Sequence, residues 1–299
     1  MRGTSCTRLG CPPVFGLRGT SFALLASKKI VELHKEYGFD VVHAHFVGTT
    51  SYSAVLARER IDAPLVVTAH GSDLEFTSKL PLGRFFVKES LIRADAVVAV
   101  SHYLALKAIS LGAHEVKVIS NGVAVLGEKN EKREFVTFVG ALRSYKGLDD
   151  FLKLAEYFPE ERFLVLGDGP LRVLEERAPP NMEFLGYRRD VEEFLGRSKL
   201  LVVPSRREGF GLVVLEANRA EVPVVARRVG ALPELVRDGK NGLLFGDTGE
   251  LVRAVEYYLR NPAARERAGR IGRALSKRYS WEESVSALES LYASLVSGH

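Results

Sequence analysis

KLLVVPSRREGFGLVVLEANRAEVPVV, residues Lys199 to Val225, decides how this chain folds. Its first apolar run reads as a buried strand ending at Pro204. The turn Glu208-Gly209-Phe210-Gly211 follows, where glycine allows unusual backbone angles or close approach to a ligand. LVVLEANRA then reads as an apolar helix, and VPVV as the next buried strand. A strand buried on both faces is a near-continuous run of Val, Ile and Leu, and its alternation with helices marks parallel α/β layers.

The same pattern extends both ways. EFVTFVG, RFLVLGDG and NMEFLG precede the stretch and NGLLF comes after it, giving a second parallel sheet with helices over Leu148 to Tyr157 and Gly249 to Arg260. Asn261-Pro262 is expected to stop the latter. An earlier series, DVVHAHF, APLVVTAHG, ADAVVAVS and KVISNGV, gives a first sheet, preceded by a helix-like stretch from Ser21 to Tyr37. GEKNEKRE, Gly127 to Glu134, is charged and without apolar period, so it reads as the linker. The expected organisation is two Rossmann-like domains facing each other across a cleft, 1–126 and 127–280, with a C-terminal helix over 281–299. Ligands of doubly wound sheets sit beyond the carboxyl ends of the strands, so chemistry is sought in the loops there.

Composition bounds the rest. With 299 residues, 46% of them hydrophobic, the chain has material for two packed cores. A net charge of +5 and a pI near 9.1 suit anionic small molecules or anionic lipid but are too weak and scattered to argue for nucleic acid. Cys6 and Cys11 offer neither a disulfide framework nor zinc spacing. No apolar run approaches the roughly 20 residues of a spanning helix and the start lacks a signal-peptide core, so a soluble, cytoplasmic protein is expected. KLPLGRFFVKESLIRAD, Lys79 to Asp95, mixes basic and apolar residues; it fits an ordinary core-facing helix and also a peripheral contact with anionic lipid.

The Glu208 segment carries the chemistry. A helix N-terminus has unpaired N–H groups and a partial positive charge, which suits a diphosphate lying across Gly211 and Leu212. Glu216, about one turn into the helix, can accept hydrogen bonds from a ribose diol, and Glu208 faces whatever lies beyond the phosphates. In FVGALRSYKGL, Gly140 ends a strand, and Arg143 and Lys146 place two cations in one loop, fit to clamp a diphosphate and stabilise its growing charge. Two glutamates at this spacing also occur on solvated helices, and loop cations are usually only solvated.

EGFGLVVLEA resembles the donor-site signature of retaining glycosyltransferase family 4. VPVVARRVGALPELVRDGKNGLLF resembles that family's next strand, its Gly-x-x-Pro-Glu turn and its Asp-Gly-x-x-Gly loop, and the likeness runs from Asp40 to the C-terminus. It implies the GT-B fold, a nucleotide-sugar donor, a glycan or lipid-linked acceptor and no metal cofactor. It also implies that Glu208 contacts the transferred sugar and Glu216 the ribose, with Gly209 and Phe210 in the donor loop. Many members place an arginine directly after the glycine where this chain has Ala141, so either Arg143 takes that role or Lys146 acts alone. LGDGPLR matches the family's Gly-x-Gly-Pro turn and is no dinucleotide fingerprint, since Arg172 stands where the third glycine belongs. FLGYRRD matches the loop that lies against the base, giving Gly186, Tyr187 and Arg188 as candidates.

In VVTAHGSDL, a lone histidine is more often structural; the resemblance implies instead that His70 contacts the donor sugar. His43 and His45 share a strand face, but without a third ligand or an Asp-x-Asp pair they read as pocket-lining or packing groups. YSWEESVSALESLYASLV resembles the family's last helix, which packs back across the first domain. Relatives begin with further βα units ahead of the DVVHAH strand; at about 30 residues each, on the order of two to three are expected to be absent, leaving the first domain short.

The expected function is retaining transfer of a hexose from a nucleoside-diphosphate sugar to an acceptor hydroxyl. The alternatives are a non-catalytic nucleotide-sugar-binding subunit and a nucleotide-sugar epimerase.

Overall fold

The computed structural model describes residues 18–124 and 133–298. Cys6, Cys11 and the linker residues 127–132 lie outside the described residues. The chain divides into two compact units, one running to Ser120 and resuming at Ser286, the other from Asn121 to Val285.

The first unit contains α1 (Arg18–Tyr37), β1 (Val42–His45), α2 (Thr49–Arg58), β2 (Leu65–Ala69), the short α3 (Ser72–Glu75), α4 (Pro81–Arg93), β3 (Ala96–Ala99), α5 (His102–Ser110) and β4 (Val116–Val118). Its four strands pair in parallel in the order β1-β2-β3-β4. β2 is buried along its whole length, which explains its unbroken apolar run.

The second unit contains β5 (Phe135–Val139), α6 (Leu148–Tyr157), β6 (Arg162–Leu166), β7 (Met182–Gly186), α7 (Val191–Gly196), β8 (Ser198–Val203), α8 (Leu212–Arg219), β9 (Val224–Arg227), α9 (Leu232–Leu235), β10 (Gly242–Phe245), α10 (Thr248–Arg260) and α11 (Pro262–Ser276). Its six parallel strands run β10-β9-β8-β5-β6-β7. This is the doubly wound order, in which the direction of winding reverses between β5 and β8. Phe138, Phe151 and Phe163 pack ring to ring at 5.6 and 5.3 Å in its core, which Phe245 and Val255 extend.

Every apolar run named from the sequence is a strand. Three details add to the sequence reading. Asn261-Pro262 ends α10 but does not end the helical stretch: proline lacks an N–H that a first turn leaves unpaired, so Pro262 starts α11 at once. The last two linker residues are anchored. Arg133 donates to the carbonyls of Ser198 at 3.1 Å and Ala220 at 2.9 Å, and Glu134 accepts from Arg197 at 2.8 Å. Trp281, at the start of α12 (Trp281–Ser297), is half exposed, and the helix buries Leu291 with Leu288, Tyr292 and Leu295 against Val66 and Val98 of the first sheet.

α4 buries Phe86, Val87 and Leu91 and leaves Leu82, Phe85 and Ile92 exposed. No described helix is long and apolar enough to cross a membrane.

Candidate active site

In the second unit, the loops after β5 and β8 flank the point where the winding reverses, the crevice in which open α/β sheets bind ligands. They are stitched together. Arg206 N donates to the Tyr145 carbonyl at 2.7 Å, and Gly147, at φ 73°, lies so close that a Cβ would sit 2.2 Å from the Pro204 carbonyl oxygen. The Glu208 carbonyl accepts from Ala231 N at 3.0 Å, and a Cβ on Gly230 would meet that same oxygen at 2.1 Å. Neither glycine position tolerates a side chain.

This stitching brings together two groups chosen separately from the sequence. Lys146 Nζ lies 2.6 Å from Glu208 Oε2, with both side chains largely sheltered, and Ser205 Oγ donates to the same oxygen at 3.1 Å. The ammonium and the carboxylate therefore share one site, where Lys146 offsets the charge of Glu208. Arg143 is exposed at the start of the turn and holds no side-chain partner among the described residues.

α8 begins directly beyond. Gly211, at φ 96°, precedes Leu212, and among the described residues no side chain caps this N-terminus, leaving first-turn N–H groups for an anion. Phe210 is buried with its ring 6.2 Å from Tyr279, so it offers a ligand its backbone rather than its ring. The Glu216 carboxyl accepts no hydrogen bond among the described residues; burial, and after it the charge of Glu192, push that carboxyl above the usual range.

A cavity of about 290 Å³ opens at the ends of β5, β6 and β7, lined by Val139, Gly140, Ala141, Leu166, Gly167, Asp168, Tyr187, Arg188 and Val191. It joins Gly140 to Tyr187 and Arg188. The Arg188 guanidinium is committed to Asp190 at 2.9 and 2.5 Å, while Tyr187 is 72% exposed. Gly186 lies behind them, its φ 67° placing it against the Arg172 side chain.

Sequence reasoning missed the group that braces these loops. Arg206 spans both carboxylate oxygens of Asp149 at 2.9 and 2.6 Å, which holds the Asp149 carboxyl below its usual range. Arg227 donates to the buried Asp150 at 2.7 Å and to the Pro204 carbonyl at 3.2 Å. The readable signal was Asp149-Asp150 in the first turn of a helix, which also reads as ordinary dipole complement.

In the first unit, the ends of β1 and β2 gather three imidazoles. His45 Nδ1 is 2.9 Å from His70 Nε2, and the His45 ring stacks on His43 at 4.3 Å. His43 spends both nitrogens, on Tyr292 Oη at 2.5 Å and Thr68 Oγ1 at 2.6 Å. Burial lowers all three, His43 to about 4, with neighbouring imidazole charge adding to the effect at His43 and His70. Asp73, also missed, is buried and accepts backbone N–H bonds from Val47 at 2.9 Å, His70 at 3.0 Å, Gly71 at 2.7 Å and Leu74 at 3.0 Å, fixing the turn that carries His70. No cluster of His, Cys, Asp or Glu among the described residues could hold a metal ion.

Comparison with known proteins agrees with this architecture. Residues 126–275 match the family described as glycosyl transferases group 1, and residues 3–125 match glycosyltransferase family 4. An uncharacterized glycosyltransferase of Methanocaldococcus jannaschii is 32% identical over 95% of this chain and 84% of its own length. The N-acetyl-alpha-D-glucosaminyl L-malate synthase of Bacillus anthracis is 26% identical over 91% of this chain and 79% of its own. Among solved structures, sucrose-phosphate synthase from Thermosynechococcus elongatus superposes with a TM-score of 0.85 at 20% identity, covering 96% of this chain and 81% of that one. Anabaena HepE in complex with UDP gives 0.80 at 22%, covering 90% and 82%.

Proposed function

The chain belongs to the glycosyl transferases group 1 family and is a GT-B glycosyltransferase, and from that premise we propose that it moves a hexose from a nucleoside diphosphate to an acceptor hydroxyl, on a glycan or a lipid-linked glycan, with retained anomeric configuration. The observation that carries this reading is the Lys146–Glu208 pair, 2.6 Å long, set at the winding reversal beside the uncapped start of α8.

The chemistry rests on charge. As the bond from the anomeric carbon to the diphosphate oxygen breaks, its electron pair goes to that oxygen and the sugar becomes oxocarbenium-like. Lys146, Arg143 and the α8 N–H groups stabilise the departing diphosphate, and the Glu208 carboxylate and neutral His70 stabilise the sugar. Glu216 takes the ribose hydroxyls. Tyr187 and the cavity beside it take the base, whose apolar faces match that lining. Since side chains and a helix terminus supply the positive charge, EDTA is expected to leave turnover unchanged.

Donor hydrolysis with UDP-glucose, measured alongside UDP affinity, tests the assignment. Glu208→Gln should lower kcat by about a hundredfold or more while UDP binding holds or tightens, because Lys146 loses its competing carboxylate. Lys146→Ala should weaken UDP binding about tenfold. Near-normal turnover in either variant sinks the roles of Glu208 and Lys146; tight UDP binding by the parent chain without hydrolysis or transfer favours a binding subunit.

Contact with an anionic membrane surface belongs to the same proposal. Leu80, Leu82 and Phe85 are exposed by 63%, 46% and 48% on the segment that carries Lys79, Arg84 and Lys88. The chain should co-sediment with phosphatidylglycerol vesicles, less so as Phe85→Gln and much less in high salt. Equal recovery with and without vesicles removes this part.

A further inference from the structure

A second cavity of the second unit, of about 180 Å³, lies away from the donor loops. Those loops follow the carboxyl ends of β5 and β8, whereas this cavity sits at the amino end of the edge strand β10, where Lys240 precedes Gly242. α10 runs back from the carboxyl end of β10, so its last turn brings Tyr257 and Tyr258 to one side of the cavity. The first turns of α11 bring Ala264, Arg267 and Ala268 to another. A dry cavity of about 150 Å³ holds a benzene ring, so this one has room for a single ring with one small substituent.

Its polar lining indicates the ligand class. Tyr258 is 2% exposed, yet its hydroxyl makes no hydrogen bond to a described residue. Burial, then Tyr257 and Asp238, raise that phenol, with Arg267 acting the other way, so it stays protonated and can donate. The exposed side chains of Lys240 and Arg267 enter no ion pair or hydrogen bond among the described residues. The acids nearby are engaged: Asp238 meets Arg228 at 3.0 Å and the Leu244 N–H at 2.9 Å, and Glu266 faces Arg270 at 3.9 Å. The last carbonyls of α10, whose partial negative charge opposes an anion, are taken as well. That of Tyr257 accepts from Asn261 Nδ2 at 2.7 Å and that of Tyr258 from Arg265 at 3.1 Å. Two unpaired cations and a phenol select a carboxylate, whose oxygens only accept. The other walls are apolar, Leu243, Ala264 and Ala268, or aromatic, the Tyr257 ring set edge-on to Tyr258 at 5.4 Å, and they suit an aromatic ring.

We propose that this cavity is a second small-molecule site, which takes a carboxylic acid carrying one aromatic ring. The ring lies among Tyr257, Leu243 and Ala268, and the carboxylate meets Lys240, Arg267 and the Tyr258 hydroxyl. None of these residues belongs to the donor loops or to the cavity beside Tyr187, so the site stands whether or not the transferase reading does.

Saturation-transfer NMR on the full chain tests it, with benzoate, benzyl alcohol and acetate as probes at about ten millimolar, near the weakest affinity expected for a ligand of this size. Benzoate should bind about fivefold or more tighter than benzyl alcohol, which lacks the charge, and than acetate, which lacks the ring. Lys240→Gln combined with Arg267→Gln should weaken benzoate about tenfold and leave benzyl alcohol within about twofold. Both side chains are exposed and unpaired, so the double variant should melt with the parent, and its loss of benzoate then reads the site rather than the fold. Ala264→Leu, which fills the cavity, should abolish both ring probes. Saturating UDP should leave the benzoate signal unchanged. Displacement of benzoate by UDP places it in the donor crevice and overturns the assignment. So does an absent benzoate signal, an equal one in parent and double variant, or acetate bound as tightly as benzoate.

Discussion

His43 shows at the residue scale how burial on this sheet becomes a pH response. Its imidazole is depressed from 6.5 to about 4, first by burial and then by the charges of His45 and His70. Between those values the unfolded chain binds a proton that the folded chain refuses, so stability is full above pH 6.5 and falls as pH drops toward 4. Melting temperature should therefore decline from pH 7 to 4.5, and His43→Gln, which keeps an amide to meet Tyr292 and Thr68, should flatten the slope; an unchanged slope would mean that His43 is not the group responsible. The sequence showed His43 only as one of two histidines on a strand face. It showed Lys146 and Glu208 as separate candidates, because a loop cation and a loop carboxylate each have their own chemical logic, but their 2.6 Å contact needs Gly147 and Gly230 to bring three loops together.

At the scale of elements, legibility followed burial. The strands of both sheets were readable because strands covered on both faces must be apolar throughout, as Leu65–Ala69 is, and such runs stand out whatever the local propensity. Their order was not readable. VPVV after EGFGLVVLEA gives a parallel crossover, but that β5 lies between β6 and β8, and so opens the crevice, depends on which neighbour each strand meets. Helix ends were read through proline, and Asn261-Pro262 does stop α10 at Arg260; that the same proline opens the next helix was not read. The edge of the charged linker holds more than its composition shows. Arg133 and Glu134 look solvated by composition, yet both are spent on carbonyls and guanidinium groups at the base of the second sheet.

At the scale of the whole molecule, the division at Ser120 and Val285 separates two sets of functional groups as well as two cores. Gly140, Lys146, Glu208, the start of α8, Glu216 and the cavity beside Tyr187 all belong to the second unit, and so do the phenylalanine core and the Asp149–Arg206 brace that hold them. The Lys146–Glu208, Arg206–Asp149 and Arg227–Asp150 pairs each have both partners inside that unit. His70 and Asp73 belong to the first. A unit with its own core and its own hydrogen-bond closure is expected to fold alone, so a fragment from Asn121 to Val285 should unfold in one cooperative transition and bind UDP within about threefold of the full chain, a difference below 1 kcal/mol. It should not hydrolyse UDP-glucose, because it lacks the His70 imidazole assigned to the developing positive charge on the sugar. Calorimetry with UDP and a hydrolysis assay on the one fragment check both halves of the argument: a folded fragment that does not bind would show that the nucleotide site draws on the first unit, and one that still hydrolyses would remove His70 from the chemistry.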